Sequence, residues 1–259
     1  MRPRGFTIVE LITVIAILSI LAITTTRFMT DASSGYASAQ SRAALVESVT
    51  RAMLTVSREV RQALPNSIRV GSGGTCLEWV PIVDGNYYLQ APIGYAGTTV
   101  QVLPLQQYTL TANTRVAIHP ETDLYALADP GALSPTIDSV TTEAMGEQTL
   151  QWGSTHTFAR GSAQDRAYIV GSPASYCLDN GRLWHYSNYG FLASQPTVAS
   201  LPSSLPDRVL VAGDVDATSS FSFTPATLQR NATVKVRLIA ARDGDRVPVE
   251  QLINVRHSP

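Results

Sequence analysis

The first strongly patterned part of the chain is an almost unbroken apolar run from Phe6 to Ile23. Its 18 residues are roughly the number that an α-helix needs to span the hydrocarbon of a bilayer. A carboxylate, Glu10, stands near the start of this run. An ionisable side chain at the centre of a membrane helix costs about 2.5–3.5 kcal/mol, so its presence there indicates a functional role.

A second pattern, from Ser41 to Leu64, has the spacing of an amphipathic helix. Its apolar residues recur at steps of three and four, which places them on one helix face. They are Val46, Val49, Met53, Val56, Val60 and Leu64. Pro65–Asn66 then predicts the end of the element. We therefore predict one long helix from Phe6 to Leu64, with a bend or local melting at Asp31–Gly35, where poor helix formers follow one another.

The rest of the chain alternates short β-rich runs with turn residues. Asx-Gly pairs between such runs are the strongest short-range signal for a β-hairpin. They occur at Asp84–Gly85, Asn180–Gly181 and Asp243–Gly244. The stretches DRVLVAG and SSFSFTP predict further strands. The predicted fold class is therefore α+β: a long N-terminal helix, transmembrane in its first half and amphipathic in its second, packed against a mainly antiparallel β-sheet head.

Two segments of the head are rich in loop-forming residues. Residues 119–161 carry many Pro, Gly, Ser, Thr and Asp residues and are predicted to form a long loop or insertion at an edge of the head. Residues 195–207, which contain three prolines, are predicted to form a shorter connector.

Charge argues against one class of partner. The chain has 19 Lys and Arg residues and 20 Asp and Glu residues, which gives a formal net charge of -1. Nucleic-acid binding relies on basic side chains that neutralise phosphates. We therefore expect no nucleic acid among the partners.

The flanks of the apolar run predict its orientation. Arg2 and Arg4 precede it and favour a cytoplasmic N-terminus, which places everything after Arg27 outside the cytoplasm. In that compartment Cys76 and Cys177 are predicted to form a disulfide, whereas two buried free thiols are the alternative.

Two ordinary explanations of the N-terminus fit poorly. A cleaved secretory signal needs an A-x-A-like site after the apolar run, and the sequence ILAITTTRFMTD lacks a convincing one. A plain signal anchor leaves the Gly5–Phe6 pair and Glu10 unexplained.

Gly5, Phe6, Thr7 and Glu10 together resemble the class III signal of type IV prepilins: a short basic leader ending in Gly, then Phe, then Thr-x-x-Glu opening an apolar helix. The resemblance implies cleavage between Gly5 and Phe6 by prepilin peptidase and methylation of the new Phe6 amine. It also implies that Glu10 pairs with the Phe6 amine of a neighbouring subunit in the assembled filament.

Beyond the signal, the chain resembles the MshO-like minor pilins of the mannose-sensitive haemagglutinin (MSHA) pilus. The matching stretches are VSREVRQALPNSIRV, CLEWVPIVDGNYY, DRAYIVGSPASYCLDNGRLWHYSNYGF and LINVRHSP. This resemblance implies a low-copy subunit that initiates or caps a filament. Its partners would be prepilin peptidase, other major and minor pilins, the assembly platform and the bacterial inner membrane. Minor pseudopilins of type II secretion systems share the long helix and remain an alternative.

The implied organisation has four parts. Residues 1–5 form a cleaved leader, and 6–27 form the transmembrane and assembly helix. Residues 28–64 continue as an amphipathic helix, and 65–259 form a β-rich head in the periplasm or outside the cell.

Patterns typical of catalysis or metal binding are weak. His119, His156, His185 and His257 are scattered, and the sequence contains neither G-x-S-x-G nor G-x-x-x-x-G-K. The pairs Asp214/Asp216 and Asp243/Asp245 lack the rest of a calcium loop and are interpreted as turns. Trp79, Trp152 and Trp184 are expected in the core or in cross-strand pairs rather than on a sugar-stacking surface. We expect no catalytic residue, metal or cofactor; a membrane-anchored binding or hydrolytic protein is the alternative from another class.

Overall fold

A computed structural model describes residues 7–120, 124–227 and 230–255 of the chain. The chain divides into two compact units, Met1–Glu47 and Ser48–Pro259. One α-helix, α1 (Ile8–Arg61), runs through the first unit and into the second. It is helical throughout Asp31–Gly35, so the local melting that the sequence predicted there is absent. The helix ends three residues before Leu64 because the Leu64 amide donates to the carbonyl of Val80 at 2.8 Å instead of continuing the helical ladder.

After the helix, the described part of the second unit contains fifteen strands. They are β1 (Arg69–Val70), β2 (Cys76–Trp79), β3 (Ile82–Gln90), β4 (Gly97–Val102), β5 (Arg115–Ile118), β6 (Leu133–Thr136), β7 (Ser139–Thr142), β8 (Gln148–His156), β9 (Arg166–Val170), β10 (Ala174–Asp179), β11 (Arg182–Tyr186), β12 (Arg208–Ala212), β13 (Ser220–Thr224), β14 (Ala232–Arg242) and β15 (Asp245–Val255). Three short 3-10 helices, Ser72–Gly74, Leu124–Ala126 and Val198–Ser200, lie between them.

The strands form three sheets in which neighbouring strands pair antiparallel. The seven-stranded sheet has the order β6-β5-β9-β3-β4-β8-β7, the five-stranded sheet β1-β2-β10-β11-β12, and the three-stranded sheet β13-β14-β15. The predicted α+β class, with the helix packed against an antiparallel head, is confirmed.

Two of the three predicted hairpins are present. Asn180–Gly181 joins β10 to β11, and Asp243–Gly244 joins β14 to β15. All four turn residues have positive φ, as a two-residue turn with the twist of the flanking strands requires. The strands predicted from DRVLVAG and SSFSFTP are also present, as β12 and β13.

The hairpin predicted at Asp84–Gly85 is wrong, because both residues lie inside the continuous strand β3. The register against β9 shifts between Ile82 and Asp84, which marks a bulge. The Asp84 carboxylate accepts N–H groups from Gly85 at 2.7 Å, Gln107 at 2.9 Å and Tyr108 at 3.0 Å. Asp84 therefore anchors a distant loop instead of opening a turn.

The prediction of a long loop at 119–161 is also wrong, since this segment supplies β6, β7 and β8 of the seven-stranded sheet. β6 and β7 are its two edge strands, where polar residues and Pro135 are tolerated. In β8, Leu150 and Trp152 are buried while Gln151 is exposed, so its alternating pattern was hidden by polar neighbours.

The C-terminal part of α1 packs through the predicted apolar stripe. Val49, Met53, Val56 and Val60 are buried, as is Leu64 beyond the helix end. The predicted first member of the stripe, Val46, is 39% exposed. The stripe therefore holds the last turns of the helix against the head through burial of apolar surface.

Candidate assembly segment and its anchorage in the head

The N-terminal part of α1 exposes nearly all of its large apolar side chains. Ile8, Val9, Leu11, Ile12, Ile15, Ile17, Leu18, Ile20, Leu21 and Ile23 are each more than half exposed. The helix is long and apolar enough to cross a membrane, and its most apolar window has no residue buried within the chain. Apolar surface on this scale is typical of a membrane or protein interaction site.

Hydroxyl side chains within this segment are satisfied by its own backbone. Ser19 donates to the carbonyl of Ile15 at 2.7 Å, and Thr25 donates to that of Leu21 at 2.8 Å. Thr26 and Thr30 make the same kind of bond one turn back along the helix. These hydroxyls therefore need no water, which makes them compatible with hydrocarbon.

Glu10 stands in the first turn of the helix, with Thr7 as the residue before it begins. The Thr7 hydroxyl accepts the Glu10 amide N–H at 3.3 Å, which is half of a capping box. The Glu10 side chain is exposed, so the structure leaves it available to a neighbour at an end of the helix where a carboxylate is favoured by the helix dipole. Sequence reasoning treated Thr7 only as part of the signal and missed its capping role, although Thr-x-x-Glu is a capping signature. Gly5 and Phe6 lie outside the described residues.

At its other end, α1 is attached to the five-stranded sheet by polar contacts. The Tyr176 hydroxyl donates to Glu59 Oε2 at 2.6 Å, and His185 Nε2 lies 3.7 Å from the same oxygen. Trp79 stacks on Tyr176 with ring centroids 5.0 Å apart. Burial, and then the Glu59 carboxylate, raise the pKa of Tyr176, so its hydroxyl stays a donor. Burial lowers the pKa of His185, although Glu59 opposes that effect.

The same sheet contains a disulfide between Cys76 and Cys177. The two residues lie directly opposite each other on β2 and β10, and their sulfurs are 2.06 Å apart. The bond closes a loop with a sequence separation of 101 residues. The alternative of two free thiols is therefore not what the structure shows.

A buried ion pair lies next to the disulfide. Glu78 is fully buried on β2, and its Oε2 accepts a hydrogen bond from Arg69 Nε at 2.5 Å. Its Oε1 accepts one from the Tyr189 hydroxyl at 3.0 Å. Burial raises the pKa of Glu78, while the Arg69 guanidinium and the Tyr189 hydroxyl pull that pKa back down.

The Arg69 guanidinium also binds the backbone of the segment that follows β11. Its two terminal nitrogens donate to the carbonyls of Leu192 and Ala193 at 2.7 and 2.8 Å. The guanidinium carbon also lies 3.6 Å from the centroid of the Tyr125 ring. Sequence reasoning missed this cluster; its signal is a single carboxylate, Glu78, within an otherwise apolar strand.

The tryptophans and two of the acidic residues noted in the sequence are engaged in packing or in ion pairs. Trp79 and Trp152 are buried and Trp184 is partly buried, so they do not form an exposed aromatic surface. Asp214 pairs with Arg242, and Asp216 pairs with Arg246 at 2.8 Å. Within residues 7–120, 124–227 and 230–255, no group of His, Cys, Asp and Glu side chains could hold a metal ion.

The described histidines are also separate from one another. His156 is buried beside Asp129 in the seven-stranded sheet, and His185 contacts Glu59 in the five-stranded sheet. His119 lies in the segment after β5, and His257 is outside the described residues.

Residues 1–26 match the family model for the prokaryotic N-terminal methylation motif. No curated protein matches the chain, and no solved structure matches it either. The matched motif is that of type IV prepilin-like proteins and implies processing by prepilin peptidase followed by assembly. Together with the exposed apolar helix, it fits a pilin-like protein anchored in an inner membrane.

Proposed function

We propose that this chain is a minor pilin, a structural subunit that initiates or caps a type IV pilus of the MSHA class. One observation carries the assembly role, whereas the minor-pilin and MSHA assignments rest on the resemblance of the sequence to MshO-like minor pilins. The methylation motif at residues 1–26 coincides with the start of a 54-residue helix whose first half exposes apolar side chains and whose last turns are buried in a β-sheet head. A helix that is apolar outside and anchored at one end is suited to assembly through lipid or through other helices.

Processing would create the partner that Glu10 needs. Cleavage after Gly5 would give Phe6 a cationic amine, which methylation keeps basic. Glu10 lies four residues further on, about 6 Å along the axis at 1.5 Å per residue. Among packed helices without water, an unpaired carboxylate is costly and a paired one much less so. An amine from a neighbouring copy would therefore set the axial register of the new subunit.

The proposed organisation follows from this role. The leader is 1–5, the membrane and assembly helix 6–27, the amphipathic helix 28–64 and the head 65–259. The head lies outside the cytoplasm, in agreement with the disulfide, since such bonds persist in oxidising compartments. The subunit starts in the bacterial inner membrane and ends in the filament or at the cell surface. The role is structural, without a catalytic step.

The proposal is tested with Glu10→Ala, and Asp31→Asn serves as the matched control because Asp31 is an exposed carboxylate on the same helix beyond the apolar run. Mass spectrometry should find the mature methylated Phe6 terminus in both variants. Incorporation into sheared filaments should fall about tenfold for Glu10→Ala, since a pair worth more than about 1.4 kcal/mol is lost, and should stay unchanged for Asp31→Asn. Unchanged incorporation of Glu10→Ala would remove Glu10 from this role.

Two further measurements address the class of the protein. If the purified chain keeps its first five residues in a host with active prepilin peptidase, the pilin proposal fails altogether. Deletion of the gene, assayed for piliation and for protein secretion side by side, separates a pilin from a type II secretion pseudopilin. We expect loss of pili with normal secretion.

A further inference from the structure

The head contains a groove that the assembly role does not use. It has a cavity volume of about 880 Å³ and lies where the end of α1, strands β3 and β9, and the ends of the three-stranded sheet meet. This volume is within the range of about 300–1,000 Å³ that is usual for small-molecule sites. Its polar lining includes Arg61, Gln107, Arg166, Tyr168, Asn231 and Asn254.

The backbone around the groove is held in place by hydrogen bonds. On one wall, the Ile82 amide donates to the carbonyl of Gln62 at 3.1 Å, which ties the chain after α1 to the start of β3. On the floor, Gly85 pairs with Tyr168 across β3 and β9. A Cβ at Gly85 would lie 3.1 Å from the Tyr168 ring, so glycine allows the tyrosine to rest against the strand. Backbone hydrogen bonds and strand pairing therefore define the walls and the floor of the groove.

Positive charge exceeds negative charge among the side chains that line the groove, which carry the guanidinium groups of Arg61 and Arg166 and the carboxylate of Asp84. Both oxygens of Asp84 already accept backbone N–H groups, one from Gly85 and two from the loop at 107–108. In residues 7–120, 124–227 and 230–255, the ion pairs found involve neither Arg61 nor Arg166. Two guanidinium groups therefore face the groove and favour a ligand that carries a carboxylate.

Arg166 lies near two tyrosines, Tyr87 and Tyr168. The side chains of Tyr168 and Tyr87 raise the pKa of Arg166, and its guanidinium carbon lies 5.8 Å from the centroid of the Tyr87 ring. Arg166, Tyr87 and Tyr168 also line a smaller depression of about 240 Å³ on the same surface. The result is an extended surface with a cation beside two aromatic rings.

The remaining groups indicate which anionic ligand would fit. Asn231, Asn254 and Gln107 are exposed amides, and each offers both donors and an acceptor to hydroxyl groups. Tyrosine rings contact the apolar faces of rings, and guanidinium groups bind carboxylates in a planar geometry. We propose that this groove binds an acidic saccharide, with its carboxylates on Arg61 and Arg166 and its hydroxyls on the amide side chains.

The test uses the full chain in detergent micelles and trigalacturonate as the probe, with binding followed by calorimetry. The fully methyl-esterified trisaccharide is the matched control, because it has the same rings and hydroxyls without the charges. Trigalacturonate should bind, and the ester should bind at least about tenfold more weakly. Binding should also weaken when salt is raised well above about 0.15 M.

Variants locate the site. Arg61→Gln and Arg166→Gln should each lower the affinity about tenfold, whereas Arg237→Gln, an exposed arginine outside the groove lining, should leave it unchanged. Tryptophan fluorescence checks that each variant is folded. If Arg166→Gln does not fold, Arg61→Gln still tests the site, because Arg61 is exposed at the end of α1.

Four results would overturn the proposal. The first is absence of trigalacturonate binding, and the second is binding of the ester as tight as that of trigalacturonate. The third is an affinity of the Arg61 and Arg166 variants equal to that of the parent chain, and the fourth is binding of tetraglutamate as tight as that of trigalacturonate. The last would assign the groove to acidic peptides instead. None of these results bears on the assembly role, which depends on the N-terminal segment.

Discussion

Removing the guanidinium of Arg69 is expected to destabilise the head by about 3 kcal/mol at neutral pH. In Arg69→Met the fully buried Glu78 carboxylate loses its cation and keeps the Tyr189 hydroxyl as a donor, and the carbonyls of Leu192 and Ala193 lose the guanidinium. Methionine preserves much of the aliphatic volume, so the change acts mainly through charge and hydrogen bonding. Removing one partner of a buried ion pair typically costs about 3–5 kcal/mol.

The free energy needed to protonate Glu78 sets an upper limit on the part of the destabilisation that comes from its unpaired charge. The ordinary pKa of the Glu78 carboxyl is 4.5. Protonating it at pH 7 therefore takes 2.5 pH units, or about 3.4 kcal/mol at 1.36 kcal/mol per unit. Burial already raises the pKa of Glu78, and without Arg69 this pKa should rise further.

The direction of the pH effect follows from this shift. A carboxyl whose pKa is raised by folding contributes most stability below its unfolded pKa and loses that contribution as the pH rises through its folded pKa. The deficit of Arg69→Met relative to the parent chain should therefore shrink as the pH falls from 7 towards 4.5. Glu78→Gln in the Arg69→Met background should abolish this pH dependence.

Urea unfolding of the full chain in detergent micelles, followed by tryptophan fluorescence, provides the assay. All three tryptophans lie in the head, so the signal excludes the assembly helix. In a thermal scan of the same sample, a loss of about 3 kcal/mol should lower Tm by about 6–12 °C for a unit of this size. A deficit below about 1 kcal/mol at pH 7, or the same deficit at pH 5 and pH 7, would refute the reasoning.

Three further outcomes are expected in the same unfolding assay. Tyr176→Phe should cost about 1–2 kcal/mol, since a hydrogen bond to the partly exposed Glu59 carboxylate is lost; an unchanged midpoint would show that apolar packing alone holds the helix end. Cys177→Ser should cost about 2–4 kcal/mol, and peptide mapping without reductant should find the disulfide only in the parent chain. Gly74→Ala should cost about 2–3 kcal/mol, because φ is +68° and a Cβ would lie 2.6 Å from a carbonyl oxygen. Its control, Gly73→Ala, has positive φ but open space and should cost only about 1 kcal/mol; equal losses would contradict the clash.

The sequence alone determined the N-terminal segment and the fold class. Apolar spacing is a local property of a helix, and it predicted the buried positions Val49, Met53, Val56 and Val60. Two hairpins followed from Asx-Gly pairs because a two-residue turn with positive φ is set by its own residues.

Tertiary structure decided what depends on distant partners. Asp84–Gly85 lies within strand β3 instead of forming a turn, and the loop at 107–108 donates to the Asp84 carboxylate. No local sequence pattern indicates that contact. Polar strands in 119–161 formed because a sheet edge supplies backbone hydrogen bonds without requiring apolar side chains. The Glu78 cluster and the groove likewise join residues that are far apart in sequence, such as Glu78 with Tyr189 and Arg61 with Arg166. Their chemistry exists only once the sheets have brought these residues together.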